Sequence, residues 1–126
     1  MRNMSFALTT EQIRRQTKTV TRRCGWCFAK VGDRVQPVVK GQGLPKGERV
    51  ERIGGPIRFT AVDRVVLGDI SPQDVYREGF PEMTQREFVA MFKKHNGGLR
   101  DQLVTRIAFV YEAPDAEFPR DARGRA

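Results

Sequence analysis

Residues 14–23, RRQTKTVTRR, combine the residue types of a nucleophile and its base. Lys18 lies three positions before Thr21. A hydroxyl is a weak nucleophile at its own pKa and becomes reactive when a neutral amine accepts its proton. A lysine is neutral near pH 7 only where burial or neighbouring cations lower its pKa, and Arg22 and Arg23 supply such cations. The segment therefore predicts a threonine–lysine catalytic pair, and the alternative is a solvated basic face.

This pair imposes a condition on the local backbone. Along a regular strand, residues three apart point to opposite faces, so Lys18 can meet Thr21 only if Lys18 precedes the strand. A capping-box pattern at Thr9 predicts a helix over residues 10–16, and the β-branched residues 19–23 predict an extended segment. Lys18 would then lie on the turn that leaves the helix, within reach of Thr21.

Two cysteines and one histidine are the other reactive side chains. Cys24 and Cys27 have the spacing of a redox pair or of half a zinc site, but the chain has no second cysteine pair and no helix signature follows. We interpret them as ordinary, semi-buried thiols and predict neither a metal nor a cofactor. His95 ends a predicted helix, where an imidazolium interacts favourably with the helix dipole, and we assign it that role rather than catalysis.

The chain lacks the familiar phosphate-binding and hydrolase motifs. It contains no G-x-S-x-G elbow and no Walker loop. Residues 41–55, GQGLPKGERVERIGG, are rich in glycine and charge, and they predict a surface loop or an irregular hairpin. Lys40 and Lys46 would allow this loop to close over an anionic ligand, which is the alternative.

Alternating hydrophobicity predicts four to six short strands. The clearest begins at Ile57, with Ile57, Phe59 and Ala61 predicted on one face and Val62 on the other. Others are a short strand within residues 4–9, one over residues 35–39 that is interrupted or edged by a proline, and one near the C-terminus. The last places three apolar residues on one side: Ile107, Phe109 and Tyr111.

Two further helices are indicated by their first residues. Ser71 is predicted to cap a short helix that begins at Pro72. Thr84 and Glu87 form a capping box that opens a helix to about His95, ending at the following pair of glycines. Three residues of that helix recur at helical spacing and are predicted to face the core: Phe88, Met91 and Phe92. These elements predict an α+β fold, a partly open β-barrel with short helices packed outside it.

Length and composition favour one globular domain with a charged ligand. The chain has 126 residues, 39% of them hydrophobic, and we predict a domain over residues 1–112 and a disordered tail over residues 113–126. A net charge of +8 favours a phosphorylated or polyanionic partner such as a nucleotide or RNA. No apolar run approaches the roughly 18 residues of a membrane span, and the N-terminus lacks a secretory h-region. We therefore expect a cytoplasmic protein without a membrane partner; its oligomeric state stays open.

The order of several motifs resembles that of the ASCH domain family. These motifs are TKTVTRR after a small helix, then VGDRV, a long strand, and DVYREGF before a capped helix. The family has a β-barrel similar to the PUA RNA-binding domain and a characteristic Gly-x-Lys-x-x-Glu-x-Arg segment. Lys18 and Arg23 match its lysine and arginine, whereas Gln16 replaces the glycine and Thr21 the glutamate. The resemblance covers about residues 4–112.

The resemblance implies a specific activity. Some family members are amidohydrolases that remove an acyl group from the exocyclic amine of acetylcytidine, with a lysine, a threonine three residues later and a distant glutamate. Those residues match Lys18, Thr21 and Glu78. By this resemblance Thr21 is the expected nucleophile, Lys18 its base, and Glu78 the group that orients the lysine or moves a proton.

Substrate contacts and two alternative functions follow from the same resemblance and from the charge. Arg22 and Arg23 are expected to bind substrate, Arg23 at the developing oxyanion, and Trp26 or Phe80 to stack on the cytosine ring. Other family members are thought to bind RNA. A non-catalytic RNA- or nucleotide-binding module is therefore the alternative, and ribonuclease activity is a third possibility.

Overall fold

The computed structural model describes residues 1–41, 47, 49–97 and 102–113. These residues form five strands, three α-helices and two short 3-10 helices, which confirms the α+β class. The strands are β1 (Arg2–Ser5), β2 (Val20–Arg23), β3 (Arg34–Val38), β4 (Ile57–Val66) and β5 (Leu103–Tyr111). The helices are α1 (Thr10–Arg14), α2 (Pro72–Arg77) and α3 (Gln85–Asn96). None of these helices has the length and hydropathy that crossing a membrane requires.

All five described strands belong to one open, mixed sheet. Their order is β1-β3-β4-β5-β2, with β1 parallel to β3 and the other neighbours antiparallel. Strand β2 therefore pairs on one side only, with β5, and lies at an edge of the sheet. The described strands do not close into a barrel, and the arrangement agrees with a partly open β architecture. The chemically interesting segment thus occupies a sheet edge, where side chains can meet residues of a neighbouring layer.

A bulge in β4 overturns one prediction about side-chain direction. Ile57 and Phe59 are fully buried as predicted, but the register with β5 shifts between Phe59 and Ala61. An extra residue in one strand inverts the alternation beyond it. Val62 consequently pairs with Ile107 and packs against the core, not on the opposite face as predicted.

The hydrophobic core has two parts, one on each side of the site described below. The first lies between α1 and the sheet and contains Phe6, Phe59 and Phe109. The second joins α2 and α3 to Val104 at the start of β5. Its members Phe88 and Phe92 are buried and Met91 is half-buried against them, as the helical spacing predicts.

The capping signals of α2 and α3 are confirmed. The Ser71 hydroxyl accepts a hydrogen bond from the Asp74 amide at 3.0 Å, and Pro72 is the first residue of α2. At the start of α3, the side chains of Thr84 and Glu87 each accept a hydrogen bond from the other residue's backbone. Both signals are local, which is why the sequence alone suffices to find them.

The predicted start of α1 at residue 10 is confirmed, but the predicted capping box does not form and the helix ends early. Thr9 makes no side-chain capping bond, and α1 ends at Arg14, two residues before the predicted Gln16. The capping-box partner, Gln12, instead donates to the Gly79 carbonyl at 3.2 Å. The Gln12 side chain therefore makes a long-range contact instead of the local hydrogen bond that a capping box requires.

The glycine-rich region continues the pairing of β3, in the part that the structure describes. Ile53 donates its amide to the Pro37 carbonyl, and Val39 donates to the Glu51 carbonyl, both at 2.9 Å. This arrangement agrees with the hairpin interpretation for residues 49–55. Lys46 and the predicted disordered tail beyond residue 113 lie outside the described residues.

Candidate active site

Lys18, Thr21 and Glu78 line a single cavity with a volume of about 340 Å³. The cavity lies between the edge strand β2, the segment that follows α2, and the second half of α3. The remaining wall consists of Ser5, Phe6, Ala7, Leu8, Thr9, Arg22, Arg23, Phe80, Phe88, Met91, Phe92, His95 and Asn96. The structure therefore brings together the three residues that the family resemblance implies as a catalytic set.

A tight turn places Lys18 ahead of the strand, as the geometric condition requires. Gln16 has φ of 61°, the left-handed conformation, at the position where the ASCH motif has glycine. The turn is closed by the Thr17 amide, which donates to the Gln12 carbonyl at 2.9 Å. Strand β2 begins only at Val20, so Lys18 is free of the strand's alternation and its side chain enters the same cavity as Thr21.

A glycine allows the segment after α2 to pack directly on Lys18. Gly79 has φ of +102°, and a Cβ there would lie 2.8 Å from Gln12 Cγ and 3.5 Å from Lys18 Cβ. The Thr19 amide also donates to the Arg77 carbonyl at 2.8 Å. Only glycine fits this approach without displacement. The sequence analysis missed this role, although a glycine directly after the expected glutamate was a usable signal.

The Lys18 amine and the Glu78 carboxylate form a buried ion pair. Nζ of Lys18 donates to the Glu78 backbone carbonyl at 2.7 Å and to Oε1 at 2.8 Å. Lys18 is 3% exposed and Glu78 is 2% exposed. Burial lowers the pKa of Lys18, Glu78 opposes that change, and the charges of Arg23 and Arg22 reinforce it.

Arg22 links this pair to a second buried carboxylate. Its Nη1 donates to Glu78 Oε2 at 3.1 Å and its Nη2 to Asp74 Oδ2 at 2.7 Å. Asp74 also accepts two hydrogen bonds from Arg106, at 2.6 and 2.9 Å, and one from Arg77 at 3.1 Å. The hydrogen bond with Arg106 is the main reason that the pKa of Asp74 lies well below its usual range, and the bonds from Arg22 and Arg77 add to it.

The sequence analysis missed Asp74 and Arg106 as members of this network. In the sequence, Asp74 is the third residue of the helix predicted to begin at Pro72. It precedes Glu78 by four positions, which places both carboxylates on one face of the helical segment. That spacing could have indicated Asp74 from the sequence. No local sequence pattern indicates Arg106, because its contact with Asp74 depends on the position of β5 in the sheet.

Thr21 is held by Arg23 on the same strand. Thr21 is 3% exposed, and its hydroxyl accepts a hydrogen bond from Arg23 Nε at 3.1 Å. Arg23 also lies over the Phe6 ring, with Cζ 4.7 Å from the ring centroid, and burial lowers its pKa to about 10. Lys18 and Thr21, both in the described part of the chain, share the cavity without a direct hydrogen bond between them.

The other predicted site residues divide into two groups. Phe80 lines the cavity and packs against Phe88 at 6.0 Å between ring centroids. Trp26 is not brought to the cavity: its ring packs against Phe28 at 5.1 Å and against Phe59 at 6.2 Å. His95 is exposed in the last turn of α3, as predicted, but it also contributes to the cavity wall.

The two cysteines are both exposed, so the prediction of semi-buried thiols is wrong. Cys24 Sγ accepts a hydrogen bond from Gln102 at 3.3 Å, and Cys27 Sγ accepts one from Arg64 at 3.4 Å. The chain turns between them at Trp26, with φ of 62°. In the described ranges, no three His, Cys, Asp or Glu side chains are grouped as a metal site would require.

Comparison with known proteins adds a relationship of fold. No family model matches the chain, and none of the curated proteins does. Among solved structures, the crystal structure of protein EF3133 from Enterococcus faecalis V583, assigned to the family model DUF984, is similar with a TM-score of 0.62. The two chains are 16% identical, and the match covers 86% of this chain and 77% of the other. At that identity the similarity establishes a shared small α+β fold.

Proposed function

We propose that the protein is an amidohydrolase with a PUA-like, ASCH-type domain, which removes the acyl group from the exocyclic amine of acylated cytidine or a related nucleoside. One observation carries this proposal. A buried lysine with a lowered pKa, ion-paired with Glu78, shares a small cavity with the buried hydroxyl of Thr21. Each group has the chemical character that its assigned role needs.

The size and walls of the cavity favour a small molecule. Its volume of about 340 Å³ lies near the lower end of the range for ligand clefts, about 300–1,000 Å³. Phe80 and Phe92 supply aromatic wall surface on which a base can stack. Trp26, which lies elsewhere, has no part in the proposed mechanism.

In the first step, neutral Lys18 accepts the proton of Thr21 while Oγ attacks the amide carbonyl carbon. The Lys18 nitrogen has four tetrahedral positions: one is bonded to carbon, and two direct N–H groups to Glu78. The fourth position holds the lone pair of the amine and receives the proton. Negative charge then develops on the carbonyl oxygen, next to the guanidinium of Arg23 that contacts the nucleophile.

In the second step, the C–N bond breaks and the leaving amine takes the proton from the Lys18 ammonium. The acyl group remains as an ester on Thr21. Water then attacks that ester while Lys18 takes one of its protons. The bond between the acyl carbon and Oγ breaks, the Lys18 ammonium returns the proton to Thr21 Oγ, and the carboxylic acid leaves. Glu78 holds Lys18 in place throughout and compensates its charge while it is protonated.

A non-catalytic binding module would need solvent-exposed cations, which the following contacts bear on. Of the cationic side chains in residues 14–23, Lys18 and Arg22 are buried and paired with carboxylates. They do not form the solvated basic face considered from sequence. A non-catalytic RNA- or nucleotide-binding function stays a prediction from the net charge of +8. It predicts an affinity for RNA that falls steeply as the salt concentration rises.

The test is cytidine release from acetylcytidine by the purified protein. We expect turnover by the wild type and a loss of about 10²–10⁴-fold in the Lys18→Ala variant, since that is the usual contribution of a positioned general base. Arg14→Gln, at an exposed cation outside the cavity, is the matched control and should retain the wild-type rate. A wild-type protein that is inert on a panel of acylated nucleosides would overturn the proposal.

A further inference from the structure

Arg23 differs from the other cations of the cavity. Lys18 and Arg22 are each within hydrogen-bond distance of Glu78, and Arg22 also contacts Asp74. Arg23 has no carboxylate within 4.0 Å among the described residues. It is therefore a cation without a counter-ion in the wall of a largely buried site.

The guanidinium of Arg23 is nevertheless fixed in place. Its Nε donates to the Thr21 hydroxyl at 3.1 Å, and its plane lies over Phe6. Neither terminal nitrogen, Nη1 or Nη2, has a hydrogen-bond partner in the part of the chain that the structure describes. Two parallel N–H donors held in this way match the two oxygens of a carboxylate or phosphate.

The unpaired charge of Arg23 favours the binding of an anion. Burial lowers the pKa of Arg23 to about 10, which shows that its surroundings disfavour the charge while leaving it a cation at neutral pH. A partly desolvated cation without a partner is unfavourable, and a ligand anion would remove that penalty.

We propose that the preferred substrate carries a permanent anionic group close to the scissile amide, a carboxylate at the end of the acyl chain, which pairs with the terminal nitrogens of Arg23. The substrate class is then a half-amide of a dicarboxylic acid with the cytosine amine. This inference rests on the proposed function. Because Nε of Arg23 contacts the nucleophile, its Nη atoms lie beside the acyl group and not beside a distant ribose phosphate.

Two cytidine amides of similar size separate the charge from the shape. We expect kcat/KM for N4-succinylcytidine to exceed that for N4-butyrylcytidine by about 10- to 100-fold, the range for a charge-assisted hydrogen-bonded pair. In Arg23→Gln this ratio should fall to about one, and Arg23→Lys should restore part of it. The control Arg14→Gln should keep the wild-type ratio.

A third substrate locates the anion. N4-butyrylcytidine 5′-monophosphate carries its charge on the ribose side, and its kcat/KM should remain near that of the unphosphorylated compound. A larger gain from the phosphate than from the succinyl group would overturn the proposed location. A uniform loss on all three substrates in Arg23→Gln would also overturn the inference, because Arg23 would then act on the transient oxyanion alone.

Binding to Lys18→Met protein, which lacks the proposed base but keeps the Thr21 hydroxyl that holds Arg23, tests the inference apart from turnover. We expect N4-succinylcytidine to bind at least 10-fold more tightly than N4-butyrylcytidine, and this preference to disappear when Arg23→Gln is added. The preference in binding without hydrolysis by the wild type would refute the proposed function and keep the anion site. Hydrolysis of acetylcytidine without any such preference would support the proposed function and refute the anion site.

Discussion

At the scale of single residues, the account depends on the balance of forces at the Lys18 amine. An ammonium removed from water is strongly disfavoured unless it is paired. Glu78 supplies a carboxylate and a backbone carbonyl, whereas Arg22 and Arg23 add repulsion. Burial dominates, so the pKa of Lys18 lies below its ordinary value and a larger share of the amine is neutral at any given pH.

Glu78→Gln tests this balance through the pH dependence of the reaction. The Glu78 carboxylate raises the pKa of Lys18 by its charge and by its hydrogen bond, so its removal should lower that pKa further. The acid limb of the kcat/KM profile for acetylcytidine should therefore move to lower pH. Glu82→Gln, an exposed carboxylate on the following segment, is the matched control and should leave the limb in place.

Two outcomes would contradict this assignment of roles. If the acid limb disappears in Glu78→Gln, then Glu78 and not Lys18 is the titrating base. If the limb moves to higher pH, the carboxylate does not stabilise the charged lysine. Far-UV circular dichroism of each variant checks that the fold is retained.

Sequence reasoning reached some of these residues and not others, for a physical reason. Lys18 and Thr21 are neighbours in the chain, so their spacing alone suggested the pair. Glu78 is sixty positions from Lys18, and only the family resemblance indicated it. Arg106 contacts Asp74 because β5 pairs with β2, which places Arg106 beside Arg22. No local sequence pattern predicts that pairing.

At the scale of elements, two turns bring the proposed catalytic groups together. The turn after α1 has Gln16 in the left-handed conformation that glycine adopts without strain, which explains why a glycine fits that motif position. The turn after α2 needs Gly79 because the chain passes directly over Gln12 and Lys18. Neither turn lies in a regular element, yet both determine where Lys18 points.

Gly79→Ala should damage both stability and activity. The new Cβ would contact Gln12 Cγ at 2.8 Å and push against the Lys18 stem, so we expect a loss of about 1–3 kcal/mol in the free energy of unfolding and a large loss of acetylcytidine hydrolysis. Gly54→Ala is the matched control, because Gly54 also has positive φ but an added Cβ there meets nothing within 4 Å. Urea denaturation and initial rates of both variants decide the point, and equal effects in the two would contradict the close-packing account.

The same contrast between local and distant contacts explains the secondary-structure predictions. The starts of α2 and α3 are encoded by residues within one turn of each other, and both predictions hold. The β4 bulge depends on pairing with β5, and the absence of the predicted capping box at Thr9 depends on the contact of Gln12 with Gly79. Those two features follow from tertiary structure, so alternation and capping patterns do not reveal them.

At the scale of the whole molecule, a buried ionic network joins the helical layer to the sheet. Asp74 on α2 accepts hydrogen bonds from Arg22 on β2 and from Arg106 on β5. The same network leads through Arg22 to Glu78 and thus to Lys18. The cluster that positions the Lys18 amine is therefore also an attachment between the two layers.

This network predicts acid sensitivity of the fold. The pKa of Asp74 is lowered in the folded state, so its contribution to stability is present above the ordinary aspartate pKa of 3.8 and is lost as the pH falls below that value. We expect the free energy of unfolding to decline below about pH 4, with a smaller decline in Asp74→Asn. That variant should also lose about 3–5 kcal/mol at neutral pH, because buried arginine charge is left without its partner.

Asp69→Asn is the matched control for the acid effect, since Asp69 is exposed and has no ion pair among the described residues. It should keep both the wild-type stability at neutral pH and the wild-type decline in acid. Chemical denaturation over a series of pH values measures all three proteins. An acid decline of equal size in wild type and Asp74→Asn would show that Asp74 does not carry the effect.

The most direct test of the central claim is the titration of Lys18 itself. The Lys18 side-chain resonances, assigned by comparison with Lys18→Met, would be followed by NMR as the pH is raised. The account predicts a midpoint below 10.5, the ordinary lysine pKa, so that a neutral amine is accessible to Thr21. A midpoint at or above 10.5 would contradict it, because Lys18 would then be a permanent cation that only holds Glu78 in place.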